Sequence, residues 1–397
     1  QTIFPEAFEG AVPVPIAASG SVQAELVAAS AIDAALLWAW QELDRQTAGT
    51  NVFVESKVLP AALAHCDPDG RAQLFLLWQG IPRLSQLIGL MPLSLEPLYG
   101  NRPVPNWQNW LHPNAFLGNP LIAHGHERAF WEALLAYCDA HAGRGLFFHL
   151  DCFALDDPAS RTLFNLCEEQ RRRCDVVRRH ERAFLQSPLG AEAYYEKAVR
   201  SKKRKELRRQ TRRLEDMGAL TFDRSEGGEG LERWIDEFLA LEAAGWKGQE
   251  ESALGSQADT RGLFCEMLGA LAEAGRLELL ALRFEGAPIA MLVNFRHGEG
   301  AFSFKIAIDE ELGRFSPGVL IEIANLHAVQ GDPDIAWMDS CAAPGHPMID
   351  SLWVERRTIV QYRIALRGAG TRRLQRSAAF AIANASEAIA RKLKGRA

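Results

Sequence analysis

One stretch, residues 301–331, limits what this chain can fold into more than any other. It opens with apolar residues at every second position, Phe302, Phe304, Ile306 and Ile308, which is the period of a β-strand with one apolar face. A short polar loop follows, and then a segment with the composition of a helix. A strand joined by a short loop to a helix predicts an α/β architecture.

The start of this helix is marked by three consecutive residues. Ser316 is suited to the N-cap, and Pro317 to the first helical position, because its missing N–H would be unpaired there anyway. Gly318 lets another group approach the backbone closely. The pattern therefore predicts a helix that begins at Pro317.

The same helix end has the features of an anion site. We expect free amides at Val319 and Leu320, where the helix macrodipole favours an anion, and Arg314 supplies a full positive charge just ahead of them. These features predict a phosphate site. Strand, loop and capped helix also recur in α/β proteins that hold no ligand there, so this stretch alone leaves both interpretations open.

Length and composition place the chain among ordinary soluble proteins. At 397 residues, two or three domains are expected, and 48% apolar residues can fill more than one core. The net charge of -6 argues against a dedicated nucleic-acid binder, although it allows a local basic patch. No apolar run approaches the roughly 20 residues of a membrane span, and the first residues lack the order of a secretory signal. We therefore expect a cytoplasmic protein without an integral membrane span.

Cysteine and histidine spacing predicts neither disulfides nor a metal centre. The seven cysteines are odd in number, scattered and never in a C-x-x-C pair, which is typical of reduced, mostly buried thiols. His124 and His126 are close together, but no cysteine or further histidine follows at ligand spacing.

In the first half of the chain, helical and extended patterns alternate. Helices are predicted over 31–44, 127–142 and within 160–173, and strands over 51–55, 73–78, 84–92 and 145–153. Residues 99–120, rich in Asn, Pro and Trp, are predicted to form a long ordered loop or lid that is capable of holding a ligand.

Residues 191–218 are predicted to form one long helix with a strongly basic face. Its apolar stripe contains Val199, Leu207, Leu214 and Met217, with Lys203 and Gln210 filling the same stripe. The charged ridges carry Arg204, Lys205, Arg208, Arg209, Arg212 and Arg213. Such a run is either a solvated surface or a site for a polyanion, whether the phosphates of a nucleotide cofactor, RNA or acidic lipid.

A second α/β set follows this helix. Strands are predicted over 220–224, 277–284, 287–295, 335–339 and 358–364, and a further strand runs through Lys305. Helices are predicted over 231–244 and 260–274. The strands at 277–284 and 287–295 form a hairpin that turns at Glu285 and Gly286.

This order of elements resembles a GNAT-type acyltransferase domain, and the sequence motifs are similar to those of the cellulose-biosynthesis-type (CelD/BcsL) acetyltransferase family. The resemblance rests on S-K-K-R-K-E-L-R-R-Q-T-R-R-L at 201–214, A-G-W-K-G at 244–248, F-S-F-K at 302–305, F-S-P-G at 315–318 and D-S-C-A-A-P-G-H-P-M-I-D at 339–350. It covers about the second half of the chain. The better-known GNAT fingerprint, Arg or Gln followed by x-x-G-x-G/A, is not met literally by R-F-S-P-G.

The first half has a similar element order but no equivalent of F-S-P-G. The resemblance therefore implies two GNAT-like lobes, as in FemAB-like aminoacyl transferases, each a mixed, mainly antiparallel sheet flanked by helices (α/β, or α+β). The implied division is 1–187 for the first lobe, 188–370 for the acyltransferase lobe with its basic helix, and 371–397 for a C-terminal helix. Only the second lobe is expected to hold a donor.

The resemblance also implies a site. Acetyl-CoA or another acyl-CoA is the expected donor, without a metal, and its phosphates are expected at Arg314, Phe315, Ser316, Gly318 and Val319. Lys305, which shares its strand face with Ser303 and Ala307, is expected to reach into the cleft, and Asp339 or His346 is the expected general base. The acceptor wall is expected at Trp246 and Lys247.

Each of these side chains also has a structural interpretation. Asp339 can cap the turn at Ser340, His346 can be an ordinary loop histidine, and Trp246 can be a core residue. Cys341 beside Asp339 suggests a Cys-His nucleophile, but a lone cysteine without an ordering partner usually packs in a core.

Three classes of function remain open from the sequence. The first is an acyl-CoA-dependent acyltransferase acting on a sugar, lipid-linked or amino acceptor in envelope or exopolysaccharide assembly. The second is a FemAB-like transferase that uses aminoacyl-tRNA, with the basic helix as its RNA contact. The third is a non-catalytic GNAT-like nucleotide-binding or scaffold protein.

The tail, residues 371–394, is predicted to form an amphipathic helix. Its expected apolar stripe contains Leu374, Ala378, Ile382, Ala385, Ile389 and Leu393, with Phe380 off the stripe. Bulky anchors for a membrane surface are few, so we expect the helix to pack on its own lobe or on a second subunit.

Overall fold

The computed structural model describes residues 21–47, 49, 51–245 and 254–394. For residues 386 and 388–394 it describes the backbone alone. Helices α1–α10 span Ala34–Asp44, Leu59–Cys66, Glu127–His141, Pro158–Glu169, Ala191–Ala198, Ser201–Glu215, Leu231–Ala244, Ala258–Glu273, Pro317–Gln330 and Gly370–Lys394. The predicted helix starts at Pro317 and at residue 231 are confirmed.

Thirteen strands within the described residues form a single sheet. Strands β1–β13 span Val22–Ala28, Gln73–Gln79, Gln86–Glu96, Asn106–Asn109, Leu121–Ile122, Phe147–Ala154, Cys174–Leu185, Leu220–Ser225, Leu277–Phe284, Ala287–His297, Gly300–Ile308, Trp337–Asp339 and Glu355–Ala365. Their order is β1-β2-β3-β4-β6-β13-β7-β12-β11-β10-β9-β8, with β5 paired to β3.

This order is symmetric about the central β13–β7 pair. On one side lies β1-β2-β3-β4-β6 and on the other β8-β9-β10-β11-β12. In each set the first four strands are antiparallel, and the last two, β4 with β6 and β11 with β12, are parallel. The two-lobed, mainly antiparallel architecture expected from the sequence is therefore present, although no repeat is visible in the residues themselves.

The lobes exchange their central strands. β7, from the first half of the chain, pairs with β12 of the second lobe, while β13, from the end of the chain, lies between β6 and β7. A division of the chain near residue 187 therefore cuts through a continuous sheet. The exchange joins the lobes by main-chain hydrogen bonds as well as by side-chain packing.

Two local predictions are wrong and one strand was not predicted, each for an identifiable reason. Residues 52–54 form a turn of 3-10 helix instead of a strand, because the Asn51 side chain accepts a hydrogen bond from the Phe53 amide and turns the chain. The helix predicted over 191–218 is two helices, since Val199 and Arg200 are extended. Strand β7 was not predicted, because its charged residues at 178–182 hide its extended character.

Helices cover both faces of the second lobe. On one face α7 and α8 pack with Phe302 and Phe304 of β11 in the largest apolar core. On the other, α9 packs on β9, β10 and β11, while α5 packs against α9. The sheet is thus buried on both sides, and the end of α9 that begins at Pro317 is fixed beside β11.

The C-terminal helix α10 packs on its own lobe, but through a different face from the one predicted. Leu374 and Ile382 are exposed, whereas Ala379, Phe380 and Ala383 are buried against Phe147 and Val104. The stripe prediction is therefore wrong for Leu374, Ala378, Ile382 and Ala385, and the side chains of Ile389 and Leu393 lie outside the described residues.

The reason is a buried charge on β13. Arg363 is fully buried, and α10 supplies Asn384 as its hydrogen-bond partner and Glu387 at 3.8 Å. Tyr99 completes the arrangement by donating to Glu387 (2.8 Å) and accepting from Arg363. Because an unpartnered buried guanidinium is costly, the inward face of the helix includes Asn384 and Glu387 beside its buried apolar residues, and Leu374 and Ile382 are left exposed.

Candidate active site

Strands β11 and β12 form a cleft where their pairing ends. They are in parallel register from Gly300 opposite Trp337 to Phe302 opposite Asp339, and they diverge beyond this point. The opening is a cavity of about 180 Å³. Its polar lining consists of Ser303, Lys305, Glu322, Ser340, Cys341 and His346.

A β-bulge at Phe304 sets the direction of the side chains in this wall. Lys305 pairs with Val293 and Ser303 with Asn294, so Phe304 is the extra residue on β11. The bulge changes the face on which the following residues lie. Phe302 and Phe304 pack in the α7–α8 core, but Ile306 and Ile308 pack on the side of α9, so the single apolar face predicted for this strand is wrong.

The helix end beside the cleft differs from the predicted anion site. Ser316 has left-handed backbone angles and makes no side-chain cap, and the amides of Val319 and Leu320 donate to its carbonyl at 2.9 and 3.1 Å. The prediction that these two amides are free is therefore wrong. The arrangement leaves the amide of Gly318 as the donor at this helix end.

Gly318 is buried, and a side chain there would be crowded by its neighbours. A Cβ atom there would lie 3.0 Å from Met348 Sδ and 3.2 Å from Ile308 Cγ2. Because Met348 lines the cavity, the helix N-terminus and the cleft are adjacent.

Two neighbouring residues have different surroundings. Phe315 is buried in an apolar cluster with Leu214 of α6, so its side chain supports the loop and does not face a ligand. Arg314 is exposed, with its guanidinium 4.8 Å from the centre of the Phe315 ring. Helix α6, which carries the basic face, packs against residues 313–315 through Leu214.

The basic face of α6 is mostly exposed, with one exception. Lys205, Arg208, Arg209, Arg212 and Arg213 are exposed. Arg204 instead donates to the carbonyls of Glu196 and Val199 at 2.6 and 2.8 Å, and so closes the end of α5. Its role is structural.

Asp339 is held in an ion cluster. Its Oδ2 accepts from Arg182 at 2.7 Å and from Arg357 at 3.1 Å, and its Oδ1 accepts from the Cys341 amide at 2.9 Å. Burial by itself would raise the pKa of Asp339, but the two guanidinium charges outweigh burial and hold the pKa below its ordinary value. A carboxylate in this state is a weak base, and its contacts connect β12 to β7 and β13.

Cys341 is a poor nucleophile in this position. It is buried, and burial, with a smaller contribution from the charge of Asp339, raises the pKa of its thiol well above the ordinary range. The thiolate that a nucleophilic mechanism needs is therefore disfavoured.

Glu322 is the ionisable group in the cleft that sequence reasoning missed. It is buried on α9, where its Oε2 accepts from Asn325 Nδ2 at 3.2 Å, and burial raises its pKa to about 7. Asn325 is in turn held by Asn294, which donates to it at 2.8 Å. The signal available in the sequence was a lone carboxylate within the apolar run of a helix.

The first lobe contributes to the same cleft through residues 99–120, which were predicted to form a loop or lid and which contain strand β4. Phe116 lines the cavity, and its ring centre lies 5.3 Å from Lys305 Nζ. Nearby, burial and the charge of Lys305 lower the pKa of His112 to about 4, and neither of its ring nitrogens has a partner among the described residues. His346 lines the cavity with its buried Nδ1 likewise unpartnered within the described chain. Trp246 and Lys247 lie outside the described residues.

The corresponding place in the first lobe is filled. β4 and β6 separate after Gln108 and His149, but the Asn109 side chain accepts from the Asp151 amide and donates to the carbonyls of Asp151 and Gly118. A Cβ atom at Gly118 would lie 2.1 Å from the Asp151 carbonyl oxygen, so main chain occupies the gap. An open cleft at a parallel pair is thus a feature of the second lobe.

Comparison with known proteins agrees with this geometry. Residues 201–343 match the model of a family described as Acetyltransferase (GNAT) domain. The match covers about a third of the chain, includes β11, β12 and all of α9, and supports assignment of the protein as a transferase.

Solved structures resemble the chain over most of its length. FemX shares 10% identity at a TM-score of 0.53, with 82% of this chain and 95% of FemX covered. A conserved protein of unknown function from Bacteroides thetaiotaomicron shares 12% identity at a TM-score of 0.53, with coverages of 83% and 97%. At such identities the similarity concerns the fold alone. No curated protein matches the sequence.

Within the described residues, none of the helices has the length and apolar character needed to cross a membrane.

Proposed function

We propose that this protein transfers an acyl group from acyl-CoA, in the first instance acetyl-CoA, to an amine or hydroxyl acceptor in the cleft between β11 and β12. The observation that carries the proposal is the position of Glu322, a buried carboxyl that faces an open cavity inside the matched acetyltransferase domain. The first lobe supplies Phe116 to the wall of that cavity and is part of the site.

Glu322 is the proposed general base. The acceptor nitrogen or oxygen attacks the thioester carbonyl while its proton passes to the Glu322 carboxylate, directly or through a water molecule. The resulting tetrahedral intermediate collapses, the C–S bond breaks, and the leaving thiolate takes up a proton as free CoA. A pKa of about 7 suits this role, because the group is available as a base near neutral pH and still binds the proton that it receives.

The donor phosphates are proposed to lie at the start of α9. The Gly318 amide offers a hydrogen bond at the positive end of the helix, Arg314 offers an exposed guanidinium, and α6, which carries the exposed basic face, packs against the loop that contains Arg314. His346 is proposed to position the acceptor from the other wall, and Lys305 to stabilise the charge that develops on the thioester oxygen.

The sequence motifs that resemble cellulose-biosynthesis-type acetyltransferases support a saccharide or lipid-linked acceptor, in envelope or exopolysaccharide assembly. A second candidate is aminoacyl transfer from tRNA, which the exposed basic face of α6 favours. RNA binding on that face would weaken steeply with salt concentration, whereas binding of acyl-CoA in a cleft would weaken less.

Calorimetric titration with acetyl-CoA tests the donor site. Gly318→Asp places a carboxylate against the donor phosphates, and we expect it to abolish binding. Gly318→Ala is the matched control, because it introduces the same crowding against Met348 without the charge. Binding that is abolished by Asp and retained, though weakened, by Ala supports the proposal. Equal affinity in wild type and in a folded Gly318→Asp variant would place the donor elsewhere.

A further inference from the structure

A second cavity, lined by arginines, lies between the first lobe and the C-terminal helix. Its volume is about 540 Å³, and its described lining contains no carboxylate. The turn before β7 contributes Arg171, Arg172 and Arg173, the end of β13 leads to Arg367, and α10 contributes Arg373 and Arg376. We refer to this cavity as the arginine pocket.

Nearby carboxylates compensate only part of this charge. Asp139 pairs with Arg172 at 2.6 Å, and Asp175 pairs with Arg173 at 2.9 Å. The Arg367 side chain donates to the carbonyl of Gln170 at 2.5 Å, which does not neutralise it. Positive charge in excess of these two pairs is therefore held on three separate elements around one opening.

Arg376 is the most telling member of the group. Its side chain belongs to a residue that is only 5% exposed, and its Nη1 is buried without a hydrogen-bond partner in the described part of the chain. Burial lowers its pKa, and the charge of Arg372 acts in the same direction, although Asp139 opposes them. A buried guanidinium with an unused donor is costly unless an anion completes its contacts.

We propose that the arginine pocket binds a phosphate group. Several guanidinium groups around one opening match the oxygens of a phosphate, with its two charges, better than they match a single carboxylate. Phe380 forms an apolar part of the wall, with Arg173 stacked 4.6 Å from its ring centre, so the pocket also offers contact to a carbon portion of the ligand.

This pocket is separate from the candidate active site. It lies at the first residue of β7, whereas the cleft lies at the last residues of that strand, where Phe184 pairs with Asp339. Along a strand that spans Cys174–Leu185, the two ends are roughly 35 Å apart. A phosphate held at the first place cannot be the donor phosphate held at the second.

The phosphate can belong to a soluble phosphate ester or to a lipid headgroup. Both present the same oxygens to the arginines. They differ in what surrounds them, because a headgroup comes with a surface, and α10 exposes Leu374 and Ile382 on the side away from the lobe.

The test is calorimetry of the full-length chain with inorganic pyrophosphate, in a Gly318→Asp background so that the donor site does not contribute. We expect saturable binding of one pyrophosphate per chain. The double substitution Arg373→Gln with Arg376→Gln should weaken it by roughly ten- to a hundredfold, since it removes charged hydrogen-bond donors. Arg372→Gln is the control, because Arg372 is on the same helix but donates to Gly143 outside the pocket.

A second arm uses sedimentation with phosphatidylcholine vesicles, with and without phosphatidic acid. Pyrophosphate binding without vesicle binding identifies a soluble ester as the ligand. Binding to the phosphatidic acid vesicles that the double variant loses identifies a lipid headgroup. If neither probe binds, or if Arg372→Gln weakens binding as much as the double variant does, the proposal is wrong. Acetyl-CoA binding to the wild type tests the proposed function at the β11–β12 cleft, and its result does not depend on the outcome of either arm.

Discussion

Replacing Glu322 by Gln should change activity and stability in opposite directions. Burial raises the pKa of Glu322 from an ordinary 4.5 to about 7. Ionising this group is therefore roughly 3 kcal/mol less favourable in the folded protein than in the unfolded chain. Gln has nearly the same shape, can still accept the hydrogen bond from Asn325, and carries no charge at any pH.

The pH dependence follows from the direction of this shift. Below pH 4.5 the group is protonated in both states and contributes nothing. Between 4.5 and about 7 the folded state holds a proton that the unfolded chain has released, so stability falls as the pH rises, and above 7 the whole penalty is present. We expect Glu322→Gln to match wild type at pH 4 and to be more stable by up to about 3 kcal/mol at pH 8, or about 4 °C in Tm for a chain of this size.

Activity should move the other way. Release of free thiol from acetyl-CoA, measured with water or an amine as acceptor, should fall by roughly a hundred- to ten-thousandfold in the Gln variant. The wild-type rate should rise with pH through about 7, as Glu322 loses its proton, and the variant should lack this rise. Glu273→Gln, at an exposed carboxylate on α8, is the control and should alter neither property. A Gln variant with the wild-type rate and pH profile, or one that is less stable at pH 8, would refute the assignment.

Three further predictions concern the charges around the site and the tail. Asp339→Asn should destabilise the fold by about 3–5 kcal/mol in urea unfolding, because it removes the buried carboxylate that Arg182 and Arg357 share, while the folded fraction keeps its activity rise near pH 7. Lost activity at unchanged stability would instead make Asp339 the base. Ending the chain at Gly370 should lower Tm, because it removes the partners that α10 supplies to buried Arg363, and Arg363→Met should reduce that loss. An unchanged Tm with an altered oligomeric mass would assign α10 to a subunit interface. The exposed basic face of α6 is neutralised by the substitutions Arg208→Gln, Arg209→Gln, Arg212→Gln and Arg213→Gln, which should leave unfolding unchanged but weaken acetyl-CoA or RNA binding. No change in the binding of either would make this face a solvated surface.

Local sequence patterns predicted the elements whose signal lies within the element itself. The helix that begins at Pro317 and the hairpin of β9 and β10 depend on neighbouring residues, and both were predicted with small errors at their ends. Strand β7 was missed because its partners β12 and β13 come from much later in the chain, so its charged residues find their counterparts, such as Asp339 for Arg182, only after folding.

The site was predicted in its location more than in its chemistry. The loop and helix after β11 were identified, but the bulge at Phe304 is not encoded in an alternating pattern and reverses the faces that follow it. Asp339 looked available because nothing in its own segment shows the two guanidinium groups that hold it. Glu322 was absent from the predicted site, since its burial depends on β11 and the loop after β12.

The need to pair a buried charge explains the orientation of the C-terminal helix in the same way. A helical wheel of α10 ranks Leu374 and Ile382 as the core face, yet the fully buried Arg363 beneath the helix requires polar partners. Tertiary demand for hydrogen bonds therefore outweighed the hydrophobic pattern.

The most direct test of the central claim is hydrogen–deuterium exchange of the full-length chain with and without acetyl-CoA. The two lobes offer two parallel strand pairs; within the described residues the Asn109 side chain and main chain fill the gap after β4 and β6, whereas the gap after β11 and β12 opens into the cavity. We predict slower exchange, on adding acetyl-CoA, in peptides that cover residues 300–325 and 337–350, with no change in peptides that cover 106–122 and 147–154. Protection confined to the first-lobe peptides, or no protection at saturating acetyl-CoA, would contradict the claim that the β11–β12 cleft is the acyl-transfer site.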